Sequence, residues 1–176
     1  MKAILRLIPI AAGVLLSGCV SGKNGPVLDP VGPAMPRSST PGSSDGTLVV
    51  YSAYDVHASF IHRDSRSPVY SDYKILTSDG RLLQRVHNDP ETLLPDPVAV
   101  ELPPGKYQVV ALANGYARVT VPVMVETRRT TILHLEGGGF WPDPAAFNRT
   151  NAVRLPDGVI IGWKAAPGLR SANPQL

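Results

Sequence analysis

Residues 98–135 read VAVELPPGKYQVVALANGYARVTVPVMVETRRTTILHL, and their alternation decides the fold. Val98, Val100 and Leu102 fall on one parity, so an extended chain puts all three on one face. The run stops at Pro103-Pro104-Gly105, where Pro-Gly suits the centre of a type II turn. Residues 107–113 make the next apolar stretch, ended by Asn114-Gly115. Val119, Val121, Val123 and Val125 then share a face. Pro122, on the other parity, marks an edge strand or a bulge, because proline has no N–H for a ladder. Arg128-Arg129 reads as a hairpin turn, and residues 131–135 close the series before Gly137-Gly138-Gly139.

The upstream half has the same grammar. Leu48, Val50, Tyr54, Val56, Ala58 and Phe60 share one parity, opposite Asp55, His57 and Ser59. Tyr73 and Ile75 flank Lys74, and Ser78-Asp79-Gly80-Arg81 offers an Asp-Gly hairpin turn before residues 82–87. The count reaches about seven short strands with turn signals between them, and no segment has a helical period. The expectation is an all-β chain with a single β-sandwich over residues 47–136. The absence of helices alternating with strands argues against a doubly wound α/β fold.

Leu102-Pro103-Pro104-Gly105-Lys106-Tyr107, followed by a strand, Asn114-Gly115-Tyr116 and the valine strand, resembles the carboxypeptidase regulatory-like domains and the related transthyretin-like or PEGA-type sandwiches. The resemblance covers residues 98–135. It implies an immunoglobulin-like or prealbumin-like β-sandwich, and an accessory role without catalysis. In immunoglobulin-like folds a tyrosine near the start of a late strand bonds back to the backbone at a corner. Tyr107 is placed for that role.

The chain begins with Lys2 and Arg6, continues as a mostly apolar run over residues 7–16, and reaches the small pair Ser17-Gly18. A charged start, a short apolar core and a small-residue cleavage site form a secretory signal peptide. About ten apolar residues are too few to span a bilayer as a helix. Leu16-Ser17-Gly18-Cys19 resembles the bacterial lipobox. That resemblance implies a signal peptide over residues 1–18, cleavage before Cys19, and diacylglyceryl transfer to its thiol, usually with a further acyl chain such as palmitate on the new amino terminus. Each buried methylene contributes about 0.8 kcal/mol, so two or three chains anchor stably. Val20 in place of Asp favours the outer membrane, facing the periplasm, in a diderm envelope. Residues 19–46 are rich in Pro, Gly and Ser and read as a tether. A coil of roughly 27 residues has an end-to-end distance of about 30 Å.

Composition narrows the chemistry. Cys19 is the only cysteine, so its lipidation would remove every thiol, disulfide and Cys-based zinc site from the mature chain. The formal charge of +3 becomes +1 once Lys2 and Arg6 are cleaved away, which leaves no dense basic stripe for nucleic acid. His57 and His62 are five apart and fall on opposite faces of a regular strand, while His87 and His134 lie elsewhere. No metal site and no cofactor follow from this spacing. No G-x-S-x-G elbow occurs, and nothing in the sequence pairs Asp64, Asp72, Glu101 or Glu126 at glycosidase distance. Gly137-Gly138-Gly139 lacks the Gly-Lys-Ser/Thr ending of a phosphate loop and reads as a hinge. Asn148-Arg149-Thr150 fits a glycosylation sequon but has no role in a bacterial envelope.

Residues 137–176 form a Gly/Pro-rich extension that opens on Phe140-Trp141-Pro142. Within it, Pro156-Asp157-Gly158 predicts a hairpin between apolar residues 153–155 and 159–163. Trp163 alternates with Ile161 and Val159 and is expected in the core. Tyr70 and Tyr73, or Phe140, Trp141 and, were it not core, Trp163, are the aromatics that could form a surface for an envelope protein or a glycan. The sequence therefore predicts a lipid-anchored envelope module with a non-catalytic binding or structural role. The alternatives are a glycan or peptidoglycan binder using the C-terminal aromatics, and a small envelope hydrolase.

Overall fold

The computed structural model describes residues 24–33, 35–36, 44–54, 69–88, 96–137 and 150–164. Ten strands follow in chain order: β1 (Met35–Pro36), β2 (Gly46–Tyr51), β3 (Tyr73–Thr77), β4 (Leu82–Val86), β5 (Ala99–Leu102), β6 (Gly105–Leu112), β7 (Arg118–Val125), β8 (Arg129–His134), β9 (Ala152–Arg154) and β10 (Ile160–Lys164). No helix occurs among the described residues.

The strands make two sheets. One has six strands in the order β5-β2-β8-β10-β9, with β1 also against β8; the other has four, ordered β4-β3-β6-β7. The fold is thus the expected all-β sandwich. Its strand count exceeds the expected seven because β1 lies before residue 47 and the β9–β10 hairpin after residue 136. That hairpin turns where Pro156-Asp157-Gly158 predicts, with the Gly158 N–H donating to the Leu155 carbonyl at 2.9 Å, and it joins the larger sheet.

Alternation places the core. Leu48 and Val50 on β2, Ile75 on β3, Val109 on β6, Val121 on β7 and Leu133 on β8 are fully buried between the sheets. Tyr107 makes the corner bond, its hydroxyl donating to the Pro103 carbonyl at 2.8 Å where the chain crosses from β5 to β6. Asn88, fully buried just past β4, ties the sheets together. Its side chain donates to the Val50 carbonyl at 2.9 Å and to Ser52 Oγ at 3.1 Å, and accepts from the Val98 N–H at 2.9 Å.

Two expectations are corrected here. Arg128-Arg129 does form a turn, but not a hairpin, because β7 and β8 belong to different sheets and the turn carries the chain between them. β2 ends at Tyr51, within the alternation read from Leu48 to Phe60, of which residues 55–60 lie outside the described residues. His57 and His62 lie outside the described residues.

The larger correction concerns the tether. Residues 26–31 lie along the outer side of β7 in parallel, bridging Val27 to Thr120 and Val31 to Val123. The Thr120 N–H donates to the Pro26 carbonyl, the Leu28 N–H to the Thr120 carbonyl, the Val31 N–H to the Pro122 carbonyl, and the Met124 N–H to the Val31 carbonyl, each at 2.8 Å. Leu28 and Val31 are buried in the common core. Pro122 sits at the sheet edge as expected, and its missing N–H faces the side where Asp29-Pro30 interrupts the pairing, so no bond to β6 is lost. After Val31 the chain reaches the other sheet, where Met35 and Pro36 pair with Thr130 and Arg129 of β8. The segment is a strap across the open side of the sandwich. Gly25 allows it to start: its φ is +73°, and a Cβ there would collide with the Arg118 carbonyl.

Candidate functional site

Three neighbouring strands bring three rings side by side. Tyr51 is opposite His134 across the parallel β2–β8 pair, and His134 is opposite Trp163 across β8–β10. Val50 and Leu133, the residues preceding Tyr51 and His134, point into the core, so all three rings stand on the outer face of the larger sheet. His134 and Trp163 stack with centroids 3.7 Å apart and planes 3° from parallel; Tyr51 and His134 stack at 4.2 Å and 12°. Gly162 permits that closeness, since a Cβ there would run into the His134 carbonyl and approach Leu135 Cδ2 to 2.7 Å. Tyr70 meets Tyr51 edge-on at 5.6 Å and stacks on Tyr54 at 5.2 Å. Such pairs add about 0.5–1.5 kcal/mol each beyond burial.

Glu136 lies beside the rings and is only 1% exposed. Its Oε1 is 2.8 Å from His134 Nδ1, and among the described residues its Oε2 has no partner, nor has the buried Trp163 Nε1. Burial raises the pKa of Tyr51, with the Asp96 and Glu136 charges adding to it. Burial is also the first cause of the upward shifts at Tyr54 and Tyr70, to which Glu136 again contributes. Burial, with the Glu136 charge adding to it, thus favours the neutral phenols.

The ring cluster was not legible, and it changes the standing of three aromatics. Trp163 is buried as expected but is not part of the core between the sheets. The register slips between Ile160 and Gly162, so Ile161 faces the core while Trp163, of the same parity, faces outward. Tyr70 and Tyr73, expected on a binding surface, are buried at 7% and 2% exposure. Tyr70 is enclosed by the other rings, and Tyr73 alternates with Lys74 on the inner face of β3. Phe140 and Trp141 lie outside the described residues, as do Leu16, Ser17, Gly18 and Cys19.

His134 is not presented to an outside molecule: both ring faces are stacked, and Nδ1 is engaged. The pair His87–Asp72, at 2.9 Å, is exposed on both sides. Among the described residues no group of three His, Cys, Asp or Glu side chains is placed to hold a metal ion.

The space for a ligand is elsewhere. A cavity of about 830 Å³ opens between the strap and the β9–β10 hairpin, lined by Asp29, Pro30, Thr150, Ala152, Arg154 and Lys164. Arg154 Nη1 donates to the Gly158 carbonyl at 3.2 Å. Among the described residues no ion pair engages Asp29, Arg154 or Lys164. Two cations and a carboxylate therefore line one opening without neutralising one another.

No family model, no curated protein and no solved structure matches this chain.

Proposed function

We propose that the chain is an envelope lipoprotein, a β-sandwich held to a membrane by lipid on Cys19, with a non-catalytic binding role in the periplasm-facing space. The anchor reading is supported by Leu16-Ser17-Gly18-Cys19 after a charged start and an apolar run. The observation that carries the binding reading is the cavity between strap and hairpin. Its volume falls in the range of small-ligand sites. Its Arg154 and Lys164, in no ion pair among the described residues, suit a carboxylate or phosphate group, and Asp29 suits an ammonium on the same ligand. His134, paired with the buried Glu136, has both ring faces covered by Tyr51 and Trp163 and is shut off from an outside molecule, which favours binding over hydrolysis.

Calorimetric titration of the lipidated protein with alanyl-alanine tests this reading, with its N-acetylated and C-amidated forms as controls. The zwitterion should bind more tightly than either control. The Arg154→Gln, Lys164→Gln double variant should weaken it by about tenfold or more, the loss of one or two charge-assisted hydrogen bonds. Equal heats from all three compounds, or binding that survives the double substitution, would remove the support for this site.

A further inference from the structure

The strap shortens the distance between anchor and domain. Cys19 is separated from Asn24 by residues 20–23 alone, and from Asn24 onward the chain is held. The Asn24 carbonyl accepts from Thr120 Oγ1 at 2.8 Å, and the Thr120 N–H donates to the Pro26 carbonyl at 2.8 Å. Five Cα-to-Cα steps reach at most about 18 Å, and as a coil about 12 Å. The domain does not stand off on a long tether if Cys19 carries the lipid.

The strap also fixes which end is near. It runs parallel to β7 and starts beside Arg118, so the chain leaves the domain where β7 begins and β6 ends. At that end the β6–β7 turn carries Leu112 and Tyr116, which are 38% and 49% exposed, next to exposed Arg118; Val27 of the strap is 62% exposed. An apolar side chain, an amphipathic phenol and a guanidinium are the groups that lie well at a lipid–water boundary. The opposite end, with the β3–β4 turn at Ser78, is farther by the length of the eight-residue β7, about 27 Å.

We propose that the β6–β7 turn, with Leu112, Tyr116 and Arg118, rests on the bilayer that holds the Cys19 lipid, so that the sandwich stands end-on with its β3–β4 turn away from the membrane. This rests on the anchor reading above and adds an orientation to it. Arg118 meets the phosphate layer while Leu112 and Tyr116 reach the acyl boundary.

The test uses the full chain, lipidated, in vesicles of phosphatidylethanolamine and phosphatidylglycerol containing a nitroxide-labelled lipid. Because Cys19 is the only cysteine and its thiol would be consumed, Tyr116→Cys or Ser78→Cys supplies a single thiol for a fluorophore. The label at position 116 should be quenched several-fold more than the label at 78. An insert of about ten Gly/Ser residues after Ser21 should narrow that difference, because a longer coil releases the orientation. Protein that floats with the vesicles but is quenched equally at both positions keeps the anchor and overturns the orientation. Protein that does not float overturns the anchor and the orientation together.

Discussion

The two edges of the four-stranded sheet are treated in opposite ways. β7 carries Pro122 and is covered along its outer side by residues 26–31, which hide Leu28 and Val31. β4 is exposed at four of its five residues, Leu82 and Leu83 among them. An uncovered edge offers unpaired backbone to other chains, and proteins usually blunt it. Here the edge that is closed is the one along which the N-terminal segment of residues 26–31 runs. Part of the Pro/Gly/Ser-rich segment therefore belongs to the domain's architecture.

The comparison breaks first at the strap. Replacing Leu28 and Val31 together by Ala should cost about 5 kcal/mol, because both side chains leave cavities in the shared core. Urea unfolding would show this as a shift of midpoint. A loss below 1 kcal/mol would mean that the strap rides on the surface. Next comes the buried tie just past β4. Asn88→Ala strands the Val50 carbonyl and the Val98 N–H in a buried place, and should cost about 3 kcal/mol. Serine at 88 should not rescue it, having too short a reach for both partners.

Alkali separates the strap from the sheets behind it. Burial raises the pKa of Tyr51, Tyr54, Tyr70 and Tyr73 above the ordinary value of 10. The folded state therefore favours the neutral phenol. Its contribution is complete below pH about 10 and is lost as pH rises beyond that. Tyrosinate absorbance should lag a model phenol and then rise together with unfolding. Among residues 26–31 only Asp29 ionises, so the strap should stay ordered until the tyrosines give way. The smallest effect belongs to the open edge. Leu83→Lys, at a side chain 48% exposed, should change stability by no more than about 0.5 kcal/mol while reducing self-association in concentrated solution.

What could be read from sequence differs along the same line. Period-two valines, Asp79-Gly80, Pro156-Asp157-Gly158 and the edge position of Pro122 are local signals, and each carries its own physical cause. The strap is not local. Leu28 and Val31 are three apart, which fits no strand period, and Pro30 between them opposes a helix, while their partners on β7 are some ninety residues away. The ring cluster hides for the same reason. Tyr51, His134 and Trp163 meet only through two strand pairings, and a one-residue slip at Ile161 inverts the face on which Trp163 falls. The cavity hides with the strap, since Asp29 comes from it while Arg154 comes from the predicted hairpin.

Amide hydrogen exchange on the full chain tests the strap most directly. The N–H groups of Leu28 and Val31 should exchange as slowly as those of β6 and β7, because they donate to the Thr120 and Pro122 carbonyls at 2.8 Å. Exchange at the rate of a free coil at both positions, with β6 and β7 still protected, would contradict it and return residues 24–33 to the role of a loose tether.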